Sequence, residues 1–219
     1  MGPVLGSAQR RNPSFVGFDW DGTLVDSAEA TYNCYAEMFA ALGVAFDRAS
    51  FARTYSPAWQ RTYVALGVPE SRWKEADAMF VAAYARQQVR LLPGARELLH
   101  ALHARGVAMA LVTSGSRARV PAEVERLGLG GYFGTIVCGE DVERKKPDPE
   151  GLLRALGALG AAPQHAAYVG DSPEDIGMAH AAGARAIGLL GGFPNRDALR
   201  ASAPAVLATS LADVGAALG

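Results

Sequence analysis

Cysteine is nearly absent: only Cys34 and Cys138 occur among 219 residues, in unrelated contexts, so neither a disulfide framework nor a Cys/His metal spacing can be built. A reducing, cytoplasmic setting is the expectation. A charge excess is lacking too: 21 Lys and Arg stand against 22 Asp and Glu, a formal net charge of −1, which offers no basic stripe for nucleic acid. No apolar run is long enough to span a bilayer, so no membrane partner is expected. The opening MGPVLGSAQRRNPSF carries Arg10 and Arg11, but Asp19 and Asp21 interrupt the next stretch before a signal core could form, and the segment reads as a solvated N-terminus. Internal repeats and low-complexity tracts are also missing.

What is present is an alternation of short β-rich runs and helical faces. The runs are SFVGFD (14–19), VAMALVT (107–113), TIVCG (135–139), AAYVGD (166–171) and ARAIGLL (184–190). Most show no polar alternation, as expected of parallel strands covered on both faces. Between them, Ala95, Leu98, Leu99 and Leu102 follow i, i+3, i+4, i+7 spacing, and similar faces recur across 149–159 and 173–183. This pattern predicts a doubly wound α/β fold with a parallel sheet. Between 26 and 91 no strand is evident, but helical faces appear at Tyr32, Tyr35, Ala36 and Phe39, and at Ala76, Met79, Phe80 and Ala83. The prediction is an α/β core of residues 1–25 and 92–219, with an all-helical insert over 26–91 that restarts the core at Leu92-Pro93-Gly94. The insert would lie over the carboxyl end of the first strand, where open α/β sheets bind ligands.

Chemistry-bearing residues gather at strand ends. FDWDGTLVDS places Asp19 and Asp21 at i and i+2, so in a strand both would face one volume while Trp20 points away. Two such carboxylates coexist if a cation sits between them or one is protonated, and Gly22-Thr23 allows a sharp exit. LVTSGS brings the Thr113 and Ser114 hydroxyls and free N–H groups to the start of a helix, a phosphate cradle. ERKKPDPE supplies Lys145 and Lys146, and YVGDSPEDIGMA supplies Asp171 and Asp175. Each alone has an ordinary explanation as a turn, a cap or a solvated charge. Together they converge on one sheet edge.

These ordered motifs, FDWDGTLVDS, LVTSGS, KKPDPE and GDSPEDIGMAHAAGA, resemble those of the haloacid dehalogenase superfamily, and within it the phosphatases similar to phosphoglycolate phosphatase and β-phosphoglucomutase. The resemblance implies a Rossmann-like core with a helical cap at about 26–91, and Asp19 as the nucleophile that forms an aspartyl-phosphate. Asp21 would protonate the leaving oxygen and later deprotonate water. Mg²⁺ would be bound by the Asp19 carboxylate, the Asp21 backbone carbonyl and Asp171, with Asp175 supporting that sphere. Gly22, Thr113, Ser114, Gly115 and Lys146 would hold the phosphoryl group, Lys146 rather than Lys145 because the family's lysine directly precedes the proline.

The expected partner is a small phosphorylated metabolite, on a monomer or homodimer, with cap hinges near 24–27 and 90–94. A β-phosphoglucomutase-like phosphomutase shares the core motifs, and a haloacid dehalogenase shares the nucleophile but, as a family, lacks an acid at the Asp21 position. A receiver-type phospho-acceptor domain uses similar residues but places its acidic pair and its acceptor on different strands. Arg48, Arg53, Tyr55, Trp59 and Arg61 lie in the part of the cap where the family sets specificity, although packing or solvation accounts for each singly. Of the four histidines, His100, His103, His165 and His180, the first two share a helix at i, i+3 as a metal pair would but lack a third ligand nearby and read as surface residues, and His180 reads as lying further down its helix, away from phosphate.

Overall fold

A computed structural model describes residues 12–219; of the segment read as a solvated N-terminus, residues 1–11 lie outside the described residues. The core is a parallel sheet of six strands. Phe15–Phe18 forms β1, and the short segments Val25–Asp26 and Arg90–Leu91 form β2 and β3 outside that sheet. Ala108–Val112 is β4, Thr135–Val137 β5, Ala166–Gly170 β6, Arg185–Leu189 β7 and Val206–Ala208 β8. The order across the sheet is β5-β4-β1-β6-β7-β8, so the first strand lies in its middle.

The five expected runs are all strands, and β8 is a sixth that sequence pattern did not identify. Both faces are covered. Val16 and Phe18 enter one apolar cluster and Phe15 another, as period-2 alternation requires of a strand buried on two sides. Register decides function here: Phe18 lies opposite Leu111 of β4 and Val169 of β6, so the residues just beyond all three strands emerge at one edge.

Among the described residues between β2 and β3 lie the helices α1 (Ala28–Leu42), α2 (Arg48–Thr54), α3 (Trp59–Ala65) and α4 (Trp73–Tyr84), packed around Tyr35, Phe39, Phe51 and Tyr63. The two chain crossings into this insert are hydrogen-bonded to each other: Val25 pairs with Leu91 and Asp26 with Arg90 in an antiparallel ribbon. The amide of Leu92 also donates to the Leu24 carbonyl at 2.9 Å. No helix among the described residues is long and apolar enough to cross a membrane.

The core helices include α5 (Ala95–Ala104), α6 (Val120–Arg126), α7 (Glu150–Ala158) and α8 (Pro173–Ala182). At the centre of β1, Gly17 leaves room for its neighbour: a Cβ there would lie 2.7 Å from the Tyr168 ring and 3.3 Å from Leu152. Gly17→Ala is therefore expected to destabilise the fold by about 1–3 kcal/mol through overpacking. Equilibrium urea unfolding should show a lower midpoint at an unchanged slope.

Candidate functional site

The site lies at the carboxyl edge of the sheet. Asp19 comes directly after β1, its amide held by the Val169 carbonyl at 2.9 Å, and the Thr113 amide is held by Val137 at 2.9 Å. Asp171 comes directly after β6, and its carbonyl accepts from Asn195 Nδ2 at 3.0 Å. The first two bonds extend the order of the sheet by one residue, and the third ties the Asp171 backbone to the Asn195 side chain. Gly22, at φ 78°, is where this crowding is relieved: any Cβ there would collide with the Asp171 carboxylate and come within 2.7 Å of Phe193.

Asp19, Asp171 and Asp175 are buried and offer carboxylate oxygens within 4.8 Å of one another. Lys146 is their cation. Its Nζ donates to Asp19 Oδ1 at 2.7 Å, to Asp175 Oδ1 at 2.7 Å and to the Tyr168 hydroxyl at 2.9 Å. Tyr168 in turn donates to the Val112 carbonyl at 2.6 Å, which fixes its hydroxyl as an acceptor for the ammonium. Lys145 points elsewhere, onto the Gly139 carbonyl.

One ammonium among three carboxylates leaves negative charge uncompensated. Burial pushes the Asp19 carboxyl up to about 7, against the opposing Lys146 charge and with Asp175 adding to the rise. Burial, then Asp19 and Asp175, push Asp171 well above the usual carboxylate range. The Asp171 carboxylate accepts no hydrogen bond from any described residue, so its lone pairs are free for a ligand. An all-oxygen set with surplus negative charge suits a hard divalent cation, and the residues present fit one. Asp175 differs: Oδ2 accepts from the Ser172 amide at 3.1 Å and hydroxyl at 2.6 Å, while Oδ1 takes Lys146. It starts α8 with a capping box and orients the lysine.

Beyond Asp19 the chain leaves strand geometry, while Asp21 remains within electrostatic reach of Asp19 and Asp171. The β1 ladder stops at Phe18, and the Trp20 carbonyl collects the amides of Thr23, Leu24 and Val25, so the chain turns around Asp21 instead of continuing as a strand. The Asp21 carboxylate interacts electrostatically with Asp19 and Asp171 but takes its hydrogen bonds from Arg119, next to α6, and from the end of α4. Arg119 forks onto it, NH2 on Oδ2 and NH1 3.2 Å from Oδ1, and the Tyr84 hydroxyl donates to Oδ1 at 3.1 Å. Burial opposes ionisation here, but the Arg119 charge and hydrogen bonds outweigh it and hold the Asp21 carboxyl below its ordinary value.

Arg119 and Tyr84 were not among the residues the motifs singled out. Neither carries a decisive local signal, since a cation at the start of a short helix is only slightly disfavoured by the helix dipole.

The insert residues divide. Tyr55 stacks on Phe193 of the core at 4.6 Å and 11°, and its hydroxyl is held far above its usual pKa by burial and by the charges of Asp171, Tyr35, Asp21 and Asp19, which places it near the carboxylates. Arg61 reaches Glu174 at 3.6 Å across the gap. Trp59 and Arg53 are not brought to the site. Trp59, half-buried, packs on Tyr63 and Trp73 inside the insert, and Arg53 bonds Ser50 of its own helix. Arg48 pairs with Glu29 over the Tyr32 ring. Thr113 accepts the Gly115 amide at 3.0 Å, and Ser114 is exposed beside it. All four histidines are exposed.

A family model described as haloacid dehalogenase-like hydrolase matches residues 16–189. The chain belongs to that family. It is 33% identical over 215 residues to phosphoglycolate phosphatase 1 of Pseudomonas aeruginosa, covering 93% of this chain and 79% of that one. The phosphoglycolate phosphatase of Pseudomonas putida is 31% identical over 210 residues, with 91% and 77% covered. A solved structure from Lactobacillus plantarum superposes with a TM-score of 0.87 at 25% identity, covering 95% of this chain and 100% of that one. Within the family the chain is an enzyme of the phosphatase group, a phosphoric monoester hydrolase.

The carboxylate cluster makes a prediction that needs no turnover. Because Asp19 titrates near 7 in the fold against 3.8 as reference, the folded state binds its proton more tightly than the unfolded state between those values. In chelator, stability should fall as pH rises from about 4 to about 7. The fall should be smaller in Asp19→Asn. Thermal scans should also show that Mg²⁺ raises the midpoint of the native protein and that Asp171→Asn abolishes this shift while raising the metal-free midpoint.

Proposed function

We propose that this enzyme is a Mg²⁺-dependent phosphatase of small phosphorylated metabolites, similar to phosphoglycolate phosphatase, working through an aspartyl-phosphate on Asp19. The observation that carries this reading is the Asp19–Lys146 pair at 2.7 Å beside an Asp171 carboxylate that no described residue hydrogen-bonds. Asp19 is thus fixed in direction, adjacent to an oxygen set suited to a cation, and at the strand edge where a phosphate would meet the Thr113–Gly115 loop. The Asp19 and Asp171 carboxylates and the Asp21 carbonyl would hold Mg²⁺, which when bound supplies charge neutralisation for the incoming phosphate.

The chain's own residues then account for the reaction. An Asp19 oxygen attacks phosphorus, and the ester P–O bond breaks as Asp21, which must take up a proton from solvent against the Arg119 charge before this step, gives that proton to the leaving oxygen. Water next attacks the aspartyl-phosphate, Asp21 takes the proton, and the bond to Asp19 breaks to release inorganic phosphate. Lys146 neutralises charge on the nucleophile and the transferring group, and Thr113 with the Ser114 amide orients that group. Asp175 serves by holding Lys146. The helical insert is the cap that excludes water, with Tyr55 and Arg61 at its inner face. The names of the two Pseudomonas relatives make phosphoglycolate the first ester to test.

Phosphate release from phosphoglycolate, sugar phosphates, nucleotides and pyrophosphate, with Mg²⁺ and with chelator, tests this directly. A metal-dependent preference for one small ester is expected. Activity only in a bisphosphate-primed isomerisation, or only on a haloacid, overturns it. Asp19→Asn should lower kcat by about 10³-fold or more, as removal of a nucleophile does.

A further inference from the structure

The cleft contains a second charged centre, for which the phosphatase reaction as described has no task. Arg119 lies one residue before α6 and meets two carboxylates: Asp21, which it grips with both nitrogens, and Glu123, whose Oε2 lies 3.0 Å from NH1. Glu123 is itself fixed, accepting the Trp20 indole N–H at 2.7 Å. Trp20 is fully buried and sits between Asp19 and Asp21 in the chain. The guanidinium is therefore tied back to the backbone segment that carries both acids.

Two more observations bear on its position. The Tyr84 ring packs on the guanidinium, 4.4 Å from its central carbon, while the Tyr84 hydroxyl bonds Asp21. A Cβ at Gly115 would lie 2.6 Å from Arg119 NH2, so the guanidinium occupies the space that a side chain on the phosphate loop would fill. Arg119 thus borders the Thr113–Gly115 loop, Asp21 and the last turn of the insert at once. Its donors are directed at the two carboxylates, so it is not a free receptor for a substrate anion.

We propose that Arg119 and Tyr84 are positioning residues that fix the plane of the Asp21 carboxyl group for proton exchange with the reacting oxygens, Asp21 taking a proton from water before it gives one to the leaving oxygen, and that Tyr84 makes this hold depend on cap position. The inference rests on the phosphatase reading. Its physical basis is geometric: a planar fork on both oxygens fixes the plane of the carboxylate, as a lysine's point charge does not. Tyr84 belongs to the cap and ends α4, so a shift of that helix alters the clamp, whereas Arg119 and Glu123 move with the core.

The test separates orientation of the acid from general damage to the site. An alkyl leaving group requires a proton as it departs, whereas p-nitrophenolate leaves without one. kcat/KM should be measured for the best alkyl ester of the panel and for p-nitrophenyl phosphate, in wild type, Arg119→Met, Arg119→Lys and Tyr84→Phe, with thermal midpoints to verify folding. Arg119→Met should lose about 10²-fold on the alkyl ester, the lower end of general acid contributions, and less than about threefold on p-nitrophenyl phosphate. Arg119→Lys should recover part of the alkyl activity, and Tyr84→Phe should lose several-fold on the alkyl ester alone. Parallel losses on both esters, or no loss on either, overturn the proposal. If Arg119→Met does not fold, the same criteria apply to the other two variants. A wild type inactive on every phosphate ester would instead overturn the phosphatase reading.

Discussion

Mutual repulsion of buried carboxylates is the constraint around which this structure is arranged. Asp19, Asp171 and Asp175 share one small volume, and Lys146 brings a single positive charge to it. Such an arrangement is unfavourable by itself, since each ionised carboxylate loses its hydration and faces like charges. It persists because the surrounding parts leave the chain no alternative. Parallel register delivers Asp19 and Asp171 to the same edge, Ser172 holds Asp175, and Tyr168 anchors Lys146. The remaining charge imbalance is a demand that a divalent cation meets, and a bound cation reverses the upward push on Asp19 and Asp171 by favouring their ionised forms.

Against this cluster, Asp21 is the contrasting case. Only Trp20 separates it from Asp19, yet the two carboxyls are displaced in opposite directions, one by burial among acids and the other by a guanidinium. Neighbouring acids driven apart in this way are suited to different tasks. The turn that collects three amides on the Trp20 carbonyl ends the strand here, and the difference arises because Arg119, next to α6, takes the Asp21 carboxylate while Lys146 takes Asp19. The adjoining β2–β3 ribbon then carries the chain directly from this turn into the insert. The placement of Asp21 and the attachment of the insert therefore depend on the same few residues.

Much of this was legible in the sequence, for physical reasons that differ between elements. The central strands could be read because burial on both faces leaves them almost wholly apolar, and α5 because Leu98, Leu99 and Leu102 keep one face. The strand Val206–Ala208 escaped notice although β5 is equally short and also an edge, because β5 is wholly β-branched, Thr-Ile-Val, whereas Val-Leu-Ala has a single β-branched residue. The β2–β3 ribbon escaped because two residues on each side, far apart in sequence, contain no local signal at all. Asp19, Lys146 and Asp171 could be placed at one edge from strand order. Arg119 and Tyr84 could not, since their meeting with Asp21 depends on how α4 and α6 pack. Trp59 shows which of two readings of one residue prevailed: it packs on Tyr63 and Trp73 within the insert, as packing alone allows.

The ordinary structural explanations for the motif residues turn out to be part of the site's construction. Asp175 is a helix-start residue, as the sequence alone allows, and its capping box with Ser172 is intact. That same box occupies Oδ2 and leaves Oδ1 to Lys146, so the bonds that begin α8 also aim the ammonium at Asp19. Thr113 accepts the Gly115 amide and so shapes the loop that borders the cleft. Capping and chemistry are thus two uses of one hydrogen-bond set. A helix start is a rigid place to hold a charge, because the backbone on one side is locked into the helix and on the other into the strand.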